Sequence, residues 1–405
     1  MPTYEDIRDR EARALIPTYQ RLPILAVRGE GCYVYDDRGK RYTDFLGGLA
    51  VNALGYGHPE VMRVLWDQAE SLLHVSNLLY HPYQAPLAER LTRLAGLDRV
   101  FFGNSGTEVT EGGIKLARAY ARQRHPERTE ILAVENSFHG RTLGALSATW
   151  PEKYRQPFEP LVPGIRFVRN DANTLEEAFT PRVAALMVET IQGEGGVVEI
   201  SEEFLNTAQD LCRANEAVFI IDEIQCGLGR TGRMFAFQKF GLKPDVVLVA
   251  KPLAAGLPLA GMIAREEVAQ AFSPGMHGTT FGGGPLQCRL ALKVLEIIER
   301  PGFLEHVREV GNFFRQQLLE LQRDVPVIRA VRGDGLMLAA ELSVPGKSVV
   351  DDALAAGFLM NCTQGSVLRF LPPLIIEEHH VRELIAALRP ILAGLAAKTP
   401  QEVHA

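Results

Sequence analysis

Three ionisable residues in this chain each close a short apolar run. Glu189 follows residues 184–188, Asp222 follows residues 217–221, and Lys251 stands just past residues 246–249. Runs of this length, the last two rich in β-branched residues, read as strands buried on both faces of a parallel α/β sheet. Open sheets of that kind bind ligands beyond the carboxyl ends of their strands, so the two carboxylates and the amine are expected to meet in one crevice. Any one of them alone could as easily cap or solvate a strand end; three together favour a site. A fourth segment, Gly103-Asn-Ser-Gly-Thr-Glu108, sits between the apolar Val100-Phe-Phe and a helical pattern through Ile114, Leu116, Ala117 and Tyr120. Backbone N–H groups at such a helix start suit a phosphate, although a plain helix cap is the commoner meaning of so short a segment by itself.

The elements that must hold these groups are legible around them. Between the first two runs Ser201 precedes two acids and an apolar pattern through Leu211, the signature of a helix start and of a crossover helix in a βαβ unit. Residues 246–264 are almost wholly apolar and nearly long enough to cross a bilayer, but Lys251, Pro252 and Pro258 lie within them. A buried strand followed by a Gly/Pro loop fits better than a membrane span. A literal G-x-G-x-x-G runs from Gly227 to Gly232, yet it starts six residues past Ile221, no helix pattern follows it, and Asp245 precedes a strand instead of ending one. It is therefore read as a loop and not as a dinucleotide site. Toward the C-terminus Val307, Val310, Phe314, Leu318 and Leu321, and again Val381, Leu384, Ile385, Leu388 and Leu392, recur at helical steps. With short strands at 337–342 and 367–371 between them, a second α/β layer is expected from near residue 290 onward.

Composition narrows the classes. With 405 residues, 46% of them hydrophobic, the chain can bury a core larger than one ordinary domain. Lys and Arg number 43 against 49 Asp and Glu, a net charge of −6 without a long basic run, which disfavours nucleic acid as a partner. The five cysteines are scattered and lack CxxC spacing, and none of the ten histidines stands in a ligand motif such as HExxH, so neither a structural nor a catalytic metal is expected. Residues 1–13 carry seven charges and no apolar core, hence no secretory signal is expected, and the chain reads as soluble and cytoplasmic.

Ordered blocks along the chain resemble the class III aminotransferases, of pyridoxal 5′-phosphate (PLP) fold type I, and within them the acetylornithine branch. They include Leu54-Gly-Tyr-Gly-His-Pro, Asn104-Ser-Gly-Thr-Glu, Ser137-Phe-His-Gly-Arg-Thr, Ile191-Gln-Gly-Glu-Gly-Gly, Ile221-Asp-Glu-Ile-Gln-Cys-Gly-Leu-Gly-Arg-Thr-Gly, Ala250-Lys, His277-Gly-Thr-Thr-Phe-Gly-Gly and Leu368-Arg-Phe-Leu-Pro-Pro-Leu. The resemblance implies a large, mostly parallel seven-stranded sheet domain over residues 51–285, a smaller α/β domain over 286–405, and an N-terminal segment, 1–50, packed with the small one.

It also implies roles. Lys251 would hold PLP covalently and then serve as the general base that shuttles a proton from the substrate carbon. Asp222 would pair with the pyridine nitrogen, keeping the ring an effective electron sink. Phe138 would stack on the ring with His139 beside it, Gln225 would contact the ring hydroxyl, and Ser105, Gly106 and Thr107 would hold the phosphate. Thr280 would reach the phosphate of a neighbouring subunit, which makes the expected assembly a homodimer with shared sites. Among the substrate contacts, with Glu189 nearby, Arg141 would hold the carboxylate remote from the reacting amine, and Arg369 the α-carboxylate of glutamate or 2-oxoglutarate. Glu194 would pair with Arg369 when that carboxylate is missing.

Leu49 stands where ornithine aminotransferases carry tyrosine, which points to N2-acetylornithine and 2-oxoglutarate in a ping-pong reaction of arginine biosynthesis. The alternatives are an ornithine, 4-aminobutyrate, lysine-type or succinyl-diaminopimelate ω-aminotransferase, or a non-catalytic member of the fold. The chain departs from the family pattern at Val109-Thr110, Ala254-Ala255 and Gly284, and at Gly112-Gly113, a pair inside a helix that by propensity costs about 2 kcal/mol.

Overall fold

A computed structural model describes residues 3–398 of the chain. Its centre is a seven-stranded sheet of β1 (Arg99–Gly103), β2 (Glu130–Val134), β3 (Ile165–Val168), β4 (Val183–Val188), β5 (Val218–Asp222), β6 (Val246–Val249) and β7 (Ala260–Ala264), laid side by side in the order β1-β7-β6-β5-β4-β2-β3. All neighbours pair in parallel except β7, which runs antiparallel to both β6 and β1.

Every residue of β4, β5 and β6 is buried, because successive side chains point into two different cores. Ile131, Ala185, Ile220, Val246 and Leu248 face one side, under helix α1 (Gly106–Arg124). Leu132, Leu186, Phe219, Ile221 and Val247 face the other, under α2 (Glu202–Ala214), which presents Phe204, Leu205, Ala208 and Cys212. At roughly 1.5–3 kcal/mol for each large apolar side chain removed from water, this two-sided burial fixes the register of the central strands. The expected cap is in place, with the Ser201 hydroxyl accepting the N–H of Phe204 at 3.1 Å.

The apolar stretch at 246–264 holds more structure than the sequence reading gives it. The chain leaves β6, makes a tight turn that begins at Lys251 and returns as β7, a strand rather than the tail of a loop. Its residues are too short and too small to announce themselves, being Ala-Gly-Met-Ile-Ala. Among the described residues no helix is long and apolar enough to cross a membrane.

After α3 (Pro285–Ile298), the long helices α4 (Phe303–Asp324) and α5 (Glu378–Lys398) cover a four-stranded antiparallel sheet. Its strands are β8 (Ile328–Asp334), β9 (Met337–Leu342), β10 (Asn361–Thr363) and β11 (Val367–Phe370), in the order β8-β9-β11-β10. Phe314, Leu318, Leu338, Phe370 and Leu384 form this second core, and Cys32, Phe45 and Ala53 from the N-terminal part join it. Three strands at Ala26–Glu30, Tyr33–Asp36 and Arg41–Asp44 complete that side, the last pairing in parallel with Phe358–Leu359.

Candidate active site

Since β4, β5 and β6 are parallel neighbours, their carboxyl ends lie side by side, and Glu189, Asp222 and Lys251 arrive at one edge of the sheet. There they line a cavity of about 460 Å³ together with Ser105, Gly106 and Thr107 from the start of α1. Phe138, His139, Arg141, Glu194 and Gln225 line it too. The crevice read from the strand ends and the turn at the start of α1 are thus one place.

Lys251 has φ +29°, outside the comfortable range for a residue with a side chain. Such strain persists only where surrounding structure imposes it, and it concentrates at functional positions. Among the described residues its amine has no hydrogen-bond partner. Burial pulls the amine below the usual lysine range, with Asp222, Glu194 and Glu189 opposing that shift and Arg369 adding to it.

Asp222 is 3% exposed and doubly held: Oδ1 accepts the N–H of Ile224 at 2.9 Å and Oδ2 lies 2.8 Å from His139 Nδ1. Burial would lower the His139 pKa, but the hydrogen bond to Asp222 and the charges of Asp222 and Glu189 outweigh it and raise it. His139 Nε2 is buried without a partner among the described residues. Glu189 turns its carboxylate toward main chain, taking the N–H of Phe138 at 2.9 Å and of Gly193 at 3.2 Å, and burial lifts it to about 7.

At the head of α1, Ser105 is the extended residue before the first turn, and its hydroxyl donates to Glu108 Oε1 at 3.1 Å instead of capping the helix. Glu108 Oε2 accepts both the main-chain and side-chain N–H of Asn104 at 2.9 Å. The first N–H groups of α1, orphaned as in any helix, are left for a ligand. Thr107 Oγ1 accepts the N–H groups of Arg141 and Thr142, and a Cβ on Gly140 would fall 2.3 Å from that oxygen, so only glycine lets the two loops close.

Arg369, on β11, is 1% exposed and reaches the cavity through its partners. Its Nη1 donates to Glu194 Oε1 at 2.6 Å, the Gly193 carbonyl at 3.1 Å and Gln225 Oε1 at 3.3 Å. Burial would raise the Glu194 pKa, but the charge and hydrogen bond of Arg369, with Lys251 and Gln225, hold it below the ordinary carboxylate range. Arg141 differs: it is exposed and, among the described residues, meets no carboxylate; its guanidinium lies on the Tyr154 ring.

Thr280 is exposed and does not line this cavity. Within the single chain it is Thr279 that ties the loop to the site, accepting from Asn104 Nδ2 at 3.2 Å. Glu108 and Tyr154 are absent from the residues singled out by sequence. Glu108 was findable, since it stands three residues after Ser105, the spacing of a capping box. Tyr154 sits in a helix of four residues that has no room for a periodic pattern.

Comparison with known proteins is consistent along most of the chain. A family model, "Aminotransferase class-III", matches residues 15–392. The acetylornithine aminotransferase of Aquifex aeolicus is 48% identical over 93% of this chain and 99% of its own. That of Methanocaldococcus jannaschii is 47% identical over 96% and 98%. The ornithine aminotransferase of Toxoplasma gondii, in a structure described as having partial occupancy of PLP at its active site, superposes with a TM-score of 0.93. It is 32% identical, with 98% of this chain and 96% of that one covered.

Proposed function

The chain belongs to the class-III aminotransferases, and on that footing we propose that it transfers the ω-amino group of N2-acetylornithine to 2-oxoglutarate. It is a PLP-dependent transaminase, acting between amino acids and keto acids. N2-acetylornithine as donor is supported by relatives at 48% and 47% identity and by Leu49, which stands where ornithine aminotransferases carry tyrosine.

The residues present fit the cofactor. A buried carboxylate fixed by two donors, an unpaired amine and a helix start with free N–H groups stand around one cavity, and a Cβ on Gly106 would press on the Ile224 side chain, 2.9 Å from its Cδ1. We assign Ser105, Gly106 and Thr107 to the phosphate, Phe138 to one ring face, Gln225 to the ring hydroxyl and Asp222, oriented by His139, to the ring nitrogen. When bound, PLP supplies the electron sink for the carbon that loses its proton. Lys251 would anchor the cofactor covalently, and its amine, whose hold on a proton burial weakens, would take and return that proton.

The observation that carries the reading is the Arg369–Glu194 pair, 2.6 Å apart. A buried guanidinium with an internal counter-ion can admit a dicarboxylate when Glu194 swings out and can stay neutralised when a donor without that second carboxylate arrives. One pocket thereby serves both halves of a ping-pong cycle, with Arg141 taking the donor's carboxylate and Glu189 bracing Phe138 at its edge.

The same proposal includes a homodimer with Thr280 reaching the partner's phosphate site. It is supported by the position of Thr280 away from its own cavity and by the exposure of Leu78 at 92%, Tyr80 at 106% and Phe281 at 62%. A division into an N-terminal segment, a large domain and a small C-terminal domain is supported by the two separate cores, with α3 packed in the first and residues from Val307 onward in the second, and a reducing, cytoplasmic setting by five unpaired cysteines. Rates measured side by side with N2-acetylornithine, ornithine, 4-aminobutyrate and succinyl-diaminopimelate test the substrate. N2-acetylornithine is expected to give the highest kcat/KM, and a preference for free ornithine would overturn the assignment.

A further inference from the structure

The Arg141 guanidinium is the one arginine head in the cavity wall without an acidic partner among the described residues. Its carbon lies 3.9 Å from the centroid of the Tyr154 ring and 5.3 Å from that of Phe138. The two rings meet edge-on, with centroids 6.5 Å apart and planes at 85°, so they form a corner into which the guanidinium fits.

The backbone that builds this corner closes on itself. Trp150 N donates to the Ser137 carbonyl at 2.9 Å and Ser137 Oγ to the Ala148 carbonyl at 2.8 Å, which brings residues 150–155 back beside Phe138. Tyr154 N then donates to the Pro151 carbonyl at 2.9 Å, and Arg155 Nε to the Trp150 carbonyl at 3.2 Å, fixing the short helix Glu152–Arg155. From the other side, Arg141 N is tied to Thr107 Oγ1 at 3.2 Å. Both partners of the stack are thus anchored to the head of the cavity.

A guanidinium binds a carboxylate through its edge, by two parallel N–H donors, while its faces remain free to stack. A carboxylate at Arg141 would have filled the edge and restrained the side chain, but none of the described acids is there. The aromatic corner does the restraining through a face, and leaves the edge to the ligand.

We propose that Tyr154 is a specificity-determining residue of the donor half-reaction: its ring face holds the uncommitted Arg141 edge-outward to receive the carboxylate of an acylated diamino acid. This rests on the assignment of Arg141 made above, and deepens it. Without the ring, Arg141 samples rotamers in water and must be ordered by each incoming substrate, so affinity falls while the chemistry at Lys251 continues.

The test uses the PLP-loaded enzyme and N-acetylnorvaline, which keeps the acyl group and carboxylate but has no ω-amine to react. Calorimetric Kd values and steady-state kinetics would be compared for Tyr154→Leu, Tyr154→Phe and Arg141→Leu. A cation–ring contact at an exposed site contributes up to about 1 kcal/mol, so Tyr154→Leu should raise Kd and the donor KM about threefold to fivefold. Its kcat and its KM for 2-oxoglutarate should stay within about twofold. Tyr154→Phe, which keeps the ring and loses the hydroxyl, should restore Kd to within about twofold. Should leucine disturb the loop, Tyr154→Met fills a similar volume without a ring face and serves the same comparison.

If Arg141→Leu weakens binding but Tyr154→Leu does not, the inference about Tyr154 is overturned while the donor-carboxylate assignment stands. If Phe behaves as Leu does, the hydroxyl and not the ring is responsible, which also overturns it. If neither Arg141→Leu nor Tyr154→Leu changes Kd, the assignment of Arg141 itself is wrong.

Discussion

The floor of the site and its rim each carry an arginine, and they hold it in opposite ways. On the floor Arg369 is 1% exposed and aims its donors at Glu194, Gln225, Asn361 and the Gly193 carbonyl. At the rim Arg141 stays in water and rests on aromatic rings. Burying a charge is costly unless it is paired, so the floor must bring its own counter-ion and the ligand has to displace it. At the rim water meets that cost, and recognition needs only orientation. Depth also separates the titrating groups: Lys251 is lowered and Glu189 raised to about 7, both chiefly by burial. The floor is therefore suited to moving protons and the rim to selecting what enters.

The harshest trial of this division removes the amine on the floor. Lys251→Ala should lower kcat by about 10⁴-fold or more, because the anchoring group and the general base vanish together. Arg141→Leu should instead raise the donor KM about 10- to 100-fold, as loss of charged hydrogen bonds does, with kcat little changed. A rim variant that lost turnover outright while still binding donor would erase the distinction. Borohydride trapping followed by peptide mapping would show independently whether residue 251 carries the cofactor.

The floor's burial should also mark the stability curve. Glu223 is 1% exposed, accepts the N–H groups of Ala236 and Phe237 at 2.9 and 2.8 Å, and is raised by burial from 4.5 to about 7. The folded protein then holds a proton that the unfolded chain releases between those values. Glu223 accordingly contributes stability that is complete below about pH 4 and is lost as pH rises through about 7. Glu223→Gln, which removes the titration but must turn its NH2 toward one of those two N–H donors, should be less stable than the parent in urea at pH 5 and should gain on it by something on the order of 2 kcal/mol as the pH is raised to 8. A difference that did not change with pH would mean that Glu223 is not the group titrating.

The floor was legible in sequence and the rim was not, for a physical reason. Glu189, Asp222 and Lys251 each terminate a run of buried β-branched or apolar residues, and a strand buried on both faces is a local, short-range signal. The turn at 103–108 was readable for a similar reason, since a Gly/Ser/Thr start to an amphipathic helix is local. Arg369 and Glu194 are 175 residues apart and meet only because the second sheet packs against the segment that follows β4; no pattern in the chain encodes that contact, and only the family resemblance pointed to it. Strand β7 was missed because Ala260 and Gly261 have little strand preference and are held by pairing between β6 and β1. Tyr154 was missed because its partner lies across a loop closure made by main-chain bonds.

The smallest effect sharpens the contrast within one helix turn. Gly112 and Gly113, adjacent in α1, look in sequence like an equal and costly pair, yet they face different parts of the site. A Cβ on Gly113 would meet Leu248 Cδ2 at 3.5 Å and Ile220 Cδ1 at 3.8 Å, ordinary contacts on the floor strands. A Cβ on Gly112 would press on Met262 Sδ at 3.3 Å and His277 Nε2 at 3.4 Å. His277 cannot easily retreat, because its ring lies 4.7 Å from that of Phe101 and 5.6 Å from that of Phe272, and its Nδ1 is 2.9 Å from Lys115 Nζ. It also opens the loop that leads to Thr279 and Thr280. Gly113→Ala should therefore stabilise the protein by roughly 0.5 to 1 kcal/mol, the helical and chain-entropy gain of alanine over glycine. Gly112→Ala should return less than that or destabilise, with urea unfolding of the two single variants as the measurement. Equal gains would show that the His277 loop yields freely, and that the rim is softer on this side than its ring contacts imply.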